Sequence, residues 1–146
     1  MNEKMPQTYE NHARLIPVYH MVCFGILGVN ALWALWGLVG SFSFGSLVNL
    51  AVAAALLILF FFIRIFALTA QDRIIRLEMR LRLGELLPAD LKARIGELAL
   101  GQLIALRFAS DEELPALTRK VLDEKILERD AIKRLIKTWN PDYLRV

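Results

Sequence analysis

Arginine side chains supply the densest candidate chemistry in this 146-residue sequence. Between residues 64 and 82 the only acids are Asp72 and Glu78, against five arginines: Arg64, Arg73, Arg76, Arg80 and Arg82. Guanidinium groups donate paired N–H groups to phosphates and carboxylates, and each cation near an anionic membrane surface contributes about 1 kcal/mol. On a helix, Arg73, Arg76 and Arg80 would share one face. The window therefore predicts a surface for anionic lipids or for an acidic partner.

His20 is the second candidate, because it lies in a segment that is otherwise apolar. Neutral imidazole is a good metal ligand, so His20 could hold haem or a chlorophyll-type pigment axially. In the alternative interpretation, the ring hydrogen-bonds to lipid headgroups or to a neighbouring helix near Arg64. Both interpretations stay open, and the sequence indicates no other cofactor.

Asn30 is the third candidate, because its position predicts a site near the middle of a membrane-spanning helix. A primary amide without a hydrogen-bonding partner is costly in an apolar environment. Nothing polar is expected opposite it, near Leu56, so a backbone carbonyl, a water molecule or another protein must satisfy the amide. Asn30 is therefore a candidate contact with a membrane protein or with a second copy of the chain.

The YENHAR stretch, residues 9–14, precedes the apolar segment. Tyr9 and Arg14 are residue types that suit the lipid headgroup region, where they would act as an interfacial anchor. The alternative is a docking contact with the arginine-rich window.

Catalytic chemistry is not indicated by any motif. The sequence has no nucleotide-binding, hydrolase or metalloprotease signature. Cys23 is the only cysteine, which excludes an intramolecular disulfide. A net charge of +3 gives little support for nucleic-acid binding. We therefore expect neither an enzyme nor a metal site nor a nucleic-acid partner.

These side chains must be positioned by helices, and the first two are predicted from the distribution of charge. Residues 15–63 contain no Asp, Glu, Lys or Arg. One bilayer-crossing helix needs roughly 20 apolar residues, so a segment of this length predicts two. The glycine-bounded stretch GSFSFGS is typical of a tight turn. The sequence thus predicts a transmembrane helical hairpin over residues 17–68, with its loop at 40–46.

The flanks of the hairpin predict its orientation. The 40–46 loop is uncharged, whereas Arg14 and Arg64 border the two outer ends. Cytoplasmic flanks of membrane spans are enriched in Lys and Arg. We therefore expect both termini in the cytoplasm, with residues 1–16 forming an N-terminal cytoplasmic tail.

The second span is expected to continue into water as one helix, because no Pro or Gly occurs between Ser46 and Gly84. Its continuation, residues 69–87, is an arginine-rich juxtamembrane helix that Pro88 should end. Two apolar stripes run along it, one of which should be buried: the first is Ile74, Leu77 and Leu81, and the second is Ile75, Met79 and Leu86.

Residues 88–146 are predicted to form a small helical cytoplasmic domain, near the lower size limit for independent folding. Leu91, Ile95 and Leu98 repeat at helical spacing after Asp90, a candidate N-cap. Other segments show similar short amphipathic patterns, and strand-like alternation is not found. The predicted fold class is therefore all-α.

Four stretches resemble a family of small, uncharacterised bacterial membrane proteins with two spans and a helical cytoplasmic tail: YENHAR, FALTAQDRIIRLEMRLRL, QLIALRFASDEELPAL and IKRLIKTWNPDYLRV. The QDR–IRLEMRLRL and LIALRFASD blocks are the most distinctive part. The resemblance implies a domain of unknown function in the bacterial inner membrane. Since the family carries no agreed activity, it transfers no site residues.

The leading functional hypothesis is a non-catalytic accessory or structural subunit of a larger membrane protein complex. The alternative is a membrane-surface module that binds anionic lipids and self-associates. A third hypothesis is haem or pigment binding through His20. The expected partners are membrane lipids and other integral membrane proteins, or further copies of this chain.

Overall fold

The computed structural model describes residues 8–9 and 16–142, and the regular elements in these ranges are all helical. A π-helical turn, Val18–Cys23, leads into α1, Phe24–Gly40, and α2 covers Phe44–Leu86. The shorter elements that follow are α3 (Ala89–Lys92), a 3₁₀ turn (Ile95–Glu97), α4 (Leu100–Leu106), α5 (Leu114–Asp123) and α6 (Arg129–Leu135). The predicted all-α class is confirmed for this part of the chain.

Two helical segments are long and apolar enough to cross a membrane. They are the 23 residues of Val18–Gly40 and the 43 residues of Phe44–Leu86. The second begins three residues earlier than predicted, because two serines cap it. Ser43 Oγ accepts a hydrogen bond from the Ser46 N–H at 3.0 Å, and Ser46 Oγ accepts one from the Ser43 N–H at 2.9 Å. This reciprocal pair satisfies two backbone donors that the helix start leaves free.

The α2 helix continues without a break through the arginine-rich window, as the absence of Pro and Gly predicts. It ends at Leu86, two residues before Pro88, which takes the N-cap position of α3. A proline at that point disfavours helical geometry in the residue before it.

The chain divides into two compact units, and the first contains residues 14–68. Here aromatic rings join the two long helices. The Tyr19 and Phe60 rings stack at a centroid distance of 4.3 Å, and Phe24 meets Phe61 edge-on at 6.0 Å. Such pairs indicate antiparallel helices joined by the short loop at residues 41–43. Among the described residues of this unit, only Ala34 and Ala53 are buried, since most side chains of the hairpin face outward.

The second unit contains residues 1–13 and 69–146, and its described part has a hydrophobic core. The C-terminal part of α2 supplies Ile75, Met79, Leu83 and Leu87 to this core. The shorter helices supply the facing side chains, of which the most deeply buried are Leu91, Leu103, Leu106, Phe108, Leu114, Val121 and Ile132. The second of the two predicted stripes is thus the buried one.

Two local predictions for residues 88–98 are wrong. Leu91, Ile95 and Leu98 do not lie on one helix, because α3 stops after Lys92 and a 3₁₀ turn follows. Asp90 does not cap α3, because Pro88 holds the N-cap position. Leu91 and Leu98 are nevertheless buried, so the apolar residues were identified correctly although the element was not.

Helix α5 ends in a left-handed residue, Lys125, with φ 51°. The Lys125 N–H donates to the Leu122 carbonyl at 3.4 Å, and the Ile126 N–H donates to the Val121 carbonyl at 3.1 Å. These two bonds are the Schellman pattern, in which glycine is the usual residue at the left-handed position. A lysine there carries backbone strain that the fold tolerates.

Candidate functional site

Three of the five arginines in the window are exposed on α2. Arg73, Arg76 and Arg80 all project into solvent, and none of the ion pairs found within residues 8–9 and 16–142 uses them. Arg64 is half-buried. The three exposed guanidinium groups are therefore free to bind an anion from outside the molecule.

Arg82 has a different environment, because its guanidinium group binds inside its own domain. Nε donates to Asp111 Oδ1 at 2.8 Å, while the two terminal nitrogens donate to the carbonyls of Arg107 at 3.1 Å and Ala109 at 2.7 Å. Both carbonyls lie just beyond the C-terminus of α4, where backbone acceptors have no helical partner. Arg82 thus links α2 to the end of α4 within the domain.

Asn30 lies on an exposed face of α1. The midpoint of Val18–Gly40 is residue 29, so Asn30 is at the centre of this membrane-length helix. Its neighbours along the same face are Ile26, 64% exposed, and Trp33, 73% exposed. Within the described residues its side chain makes no hydrogen bond to the hairpin.

His20 lies in the π-helical turn and is half-buried. Its Nδ1 is 3.0 Å from the Ile16 carbonyl oxygen and 3.2 Å from the Ile16 nitrogen. The ring meets Tyr19 edge-on at 5.1 Å, and the Tyr19 hydroxyl donates to the Phe60 carbonyl. The imidazole is therefore oriented through Nδ1, and its Nε2 is the atom that a metal would have to use.

The N-terminal candidates are described only in part. The Tyr9 ring lies 5.4 Å from the Arg134 guanidinium carbon of α6, which is within the range of a cation–π contact. Tyr9 thus contacts a basic residue of the C-terminal helices. Arg14 lies outside the described residues.

Glu113 makes a long-range contact that the sequence pattern does not predict. The Ser110 Oγ accepts a hydrogen bond from the Glu113 N–H at 3.3 Å. Ser110 and Glu113 have the Ser–x–x–Glu spacing of a capping box, in which the carboxylate would accept a hydrogen bond from the Ser110 N–H. The Glu113 carboxylate instead accepts from the N–H groups of Lys137 at 3.0 Å and Thr138 at 3.0 Å. It therefore fixes the chain after α6 against the start of α5. The Ser–x–x–Glu spacing is a local signal, and it contains no information about this distant partner.

Arg107 is a second residue whose role the sequence did not predict. Its side chain is only 9% exposed. Its guanidinium group pairs with Asp142 at 3.5 Å and lies over the Phe108 ring at 4.6 Å. The available signal was one charge inside the apolar stretch LIALRF. A charge in such a place is buried only when it is paired.

Two ion pairs connect the segment after α2 with α5. Asp90 accepts from Arg119 at 2.7 Å, and this hydrogen bond lowers the pKa of the Asp90 carboxyl below 3.8. Arg94 donates to Asp123 at 2.7 Å and also to Glu97, and these bonds raise the pKa of its guanidinium group. Both pairs are exposed, so they orient α3 and the 3₁₀ turn more than they stabilise them.

Among the residues that the structure describes, no three His, Cys, Asp or Glu side chains come together in a way that could hold a metal ion. The chemistry displayed by these residues is that of contact surfaces: an unpaired amide on α1, and exposed arginines beside an exposed apolar stripe on α2.

Comparison with curated proteins finds no match to this chain, and comparison with solved structures finds none. A family model does match, and it covers residues 1–146. The chain therefore belongs to a family of unknown function, DUF6526.

Proposed function

We propose that this chain is a non-catalytic accessory or structural subunit of a larger protein complex in the bacterial inner membrane. In this proposal α1 and the first half of α2 cross the bilayer, and both termini are cytoplasmic. The single observation that carries the proposal is the exposed Asn30 amide at the centre of an apolar helix.

Asn30 needs a polar partner because of its surroundings. In hydrocarbon, an amide lacks the water that would satisfy its two donors and its acceptor. Asn30 is exposed and lies on the same helical face as Ile26 and Trp33, which are themselves exposed. A helix of another membrane protein can supply the missing polar group and cover the apolar neighbours. Hydrogen bonds between membrane helices average about 0.6 kcal/mol, so Asn30 selects a partner and packing supplies most of the affinity.

The domain formed by residues 69–146 supports the same proposal. Arg82, Glu113 and Arg107 all hold its elements together, so these charged groups have structural partners. The exposed arginines of α2 are left for external contacts. A folded domain with a basic face is suited to docking on another protein.

The test is extraction of the tagged full chain from its own membranes in mild detergent, followed by a native gel and mass spectrometry of co-migrating chains. The proposal expects stoichiometric partners, and it expects Asn30→Leu to release them. Asn49→Leu is the matched control, because Asn49 is also exposed but lies near the start of α2. A chain that migrates alone from native membranes would overturn the proposal.

A second candidate function is a module that binds anionic lipid headgroups and self-associates. Its support is the exposure of Arg73, Arg76 and Arg80. Each helical residue advances the axis by 1.5 Å, so Arg80 lies about 10 Å further along α2 than Arg73. The polar layer of one leaflet is only about 5–8 Å thick. On a helix that continues along the membrane normal, Arg80 therefore lies further from the headgroups than Arg73 and reaches them less readily.

This geometry gives the lipid hypothesis a graded test. With the protein in proteoliposomes, Arg73→Gln should remove most of the preference for anionic over zwitterionic lipid, and Arg80→Gln should remove little. Equal losses from both variants would require α2 to bend toward the bilayer. No loss from either variant would eliminate the lipid hypothesis.

A further inference from the structure

The C-terminal part of α2 has two apolar faces, and the fold uses one of them. Ile75, Met79 and Leu83 are buried in the domain core. On the opposite side, Ile74, Leu77 and Leu81 are exposed by 57%, 61% and 62%. We propose that a second copy of this chain packs in parallel against this exposed stripe, forming a two-stranded coiled coil between the α2 helices.

The spacing of the stripe is that of a coiled-coil seam. Ile74, Leu77 and Leu81 are separated by three and then four residues, and Ala70 and Gly84 continue the pattern at either end. In the seven-residue repeat abcdefg, Ile74 and Leu81 occupy a positions and Leu77 occupies a d position. Ile at a with Leu at d favours two strands over three or four. The central pair of the seam, Ile74 at a and Leu77 at d, therefore has the composition of a dimer, whereas Leu81 occupies the second a position.

The charges beside the seam identify the occupant as a second copy. Arg73 and Arg80 fall at g positions on one side, and Glu78 and Glu85 fall at e positions on the other. In a parallel pair, each g residue faces the e residue that lies five positions later in the partner helix. Arg73 then faces Glu78 of the second copy, and Arg80 faces Glu85 of the second copy. Each such contact is made twice by symmetry.

The opposite orientation is disfavoured by the same four residues. In an antiparallel pair, g positions face g positions and e positions face e positions. Arginine would then meet arginine, and glutamate would meet glutamate. Two copies inserted in one membrane with the same topology present their α2 helices in parallel, which is the orientation that the charges select.

All four charged side chains are available for this contact. They are exposed, and none of them takes part in an ion pair between residues that the structure describes. A seam of about two heptads is marginal for free helices. Confinement of both copies to one membrane raises their effective concentration and offsets this shortness.

This inference goes beyond the proposed function: it gives Arg73 and Arg80, which the proposed function leaves for an unspecified external contact, a defined partner in a second copy. The dimer forms through the exposed stripe of α2, whereas the contact with another membrane protein forms through Asn30 on α1. Both rest on the membrane insertion in the proposed function, but the Asn30 contact and the α2 seam can each be lost without the other.

The first test is disulfide cross-linking of the full chain in native membranes. Cys23 is the only cysteine, so Cys23→Ser gives a cysteine-free background. Single cysteines are then introduced as Leu77→Cys or Leu81→Cys on the seam, and as Arg76→Cys at an exposed position off the seam. Mild oxidation should produce a covalent dimer from the seam variants and little from Arg76→Cys. Equal cross-linking at all three positions, or none at the seam, would overturn the proposal.

The second test exchanges the charges in the Leu77→Cys background. Arg80→Glu should lower the cross-linking rate roughly tenfold, because two attractive contacts become repulsive and 1.4 kcal/mol corresponds to a factor of ten. Glu85→Arg should do the same, and the double exchange should restore the original rate. A double variant no better than either single variant would overturn the parallel register.

Asn30→Leu separates this proposal from the proposed function. The variant should leave the Leu77→Cys cross-link unchanged while partner chains are lost. A cross-link that disappears in Asn30→Leu would show that the dimer depends on the membrane contact and would overturn the assignment of the stripe as a self-sufficient interface.

Discussion

Replacement of Arg82 by methionine tests whether this arginine stabilises the fold from within. Methionine replaces the apolar stem of the side chain but not the guanidinium group beyond it, so the hydrogen bonds to Asp111 and to the carbonyls of Arg107 and Ala109 are lost. Hydrogen bonds to a charged group are worth about 1.5–3 kcal/mol each, although the two carbonyls can regain part of this from water. Asp111 is 66% exposed, and such a pair contributes at most about 1 kcal/mol. We expect Arg82→Met to lower the free energy of unfolding by about 3 kcal/mol.

Tryptophan fluorescence offers a direct assay in the full chain. Of the three tryptophans, Trp139 packs against Phe108 at a centroid distance of 4.9 Å, and the other two can be removed as Trp33→Phe and Trp36→Phe. In urea, with a slope of about 1–2 kcal/mol per M, the expected loss moves the midpoint by roughly 2 M.

Two further variants complete the comparison with Arg82→Met. Asp111→Asn should cost about 1 kcal/mol or less, because it removes only the exposed pair. Arg76→Met should change stability by no more than about 0.5 kcal/mol, as expected for an exposed residue without a described partner. If Arg82→Met behaves like Arg76→Met, the contacts to the two carbonyls do not stabilise the domain and the reasoning fails.

Three other variants test separate parts of the chain. Lys125→Gly should stabilise the domain by about 1 kcal/mol in urea unfolding, because glycine adopts the left-handed conformation without strain; a destabilised variant would contradict this. Asp90→Asn should be less stable than the natural chain at pH 7. Since the bond from Arg119 lowers the pKa of the Asp90 carboxyl from its usual value, this difference should shrink as the pH falls through the lowered pKa; a difference that does not shrink on acidification would exclude the pair as its cause. The purified protein should be colourless, and a visible absorption band that His20→Ala removes would instead establish the pigment hypothesis.

The continuity of α2 could be predicted from the sequence because it depends on local chemistry. The absence of Pro and Gly over residues 47–83 permits one helix, and Pro88 ends it. The choice between the two apolar stripes could not be predicted in this way. Ile74 and Ile75 have the same hydrophobicity, and only the positions of α4, α5 and α6 decide which of them is buried.

The individual roles of the arginines also depend on tertiary structure, as does the choice between the two apolar stripes. Arg80 and Arg82 are two residues apart and chemically identical, yet Arg82 lies beside the end of α4 while Arg80 faces solvent. The helical pattern does distinguish their faces. It contains no information about the acceptors at the end of α4, because they come from residues 25 and 27 positions later.

The burial of Leu83 and its neighbours in the domain core has a consequence for biosynthesis. Leu83 leaves the ribosome before Ile132, the deeply buried residue of α6, and 49 residues separate them. At synthesis rates of about 5–20 residues per second, the core face of α2 waits roughly 2–10 s for its covering helices. During this interval the nascent helix presents apolar side chains on both of its sides. A pause in translation between residues 88 and 132 would lengthen the period in which the nascent chain can aggregate.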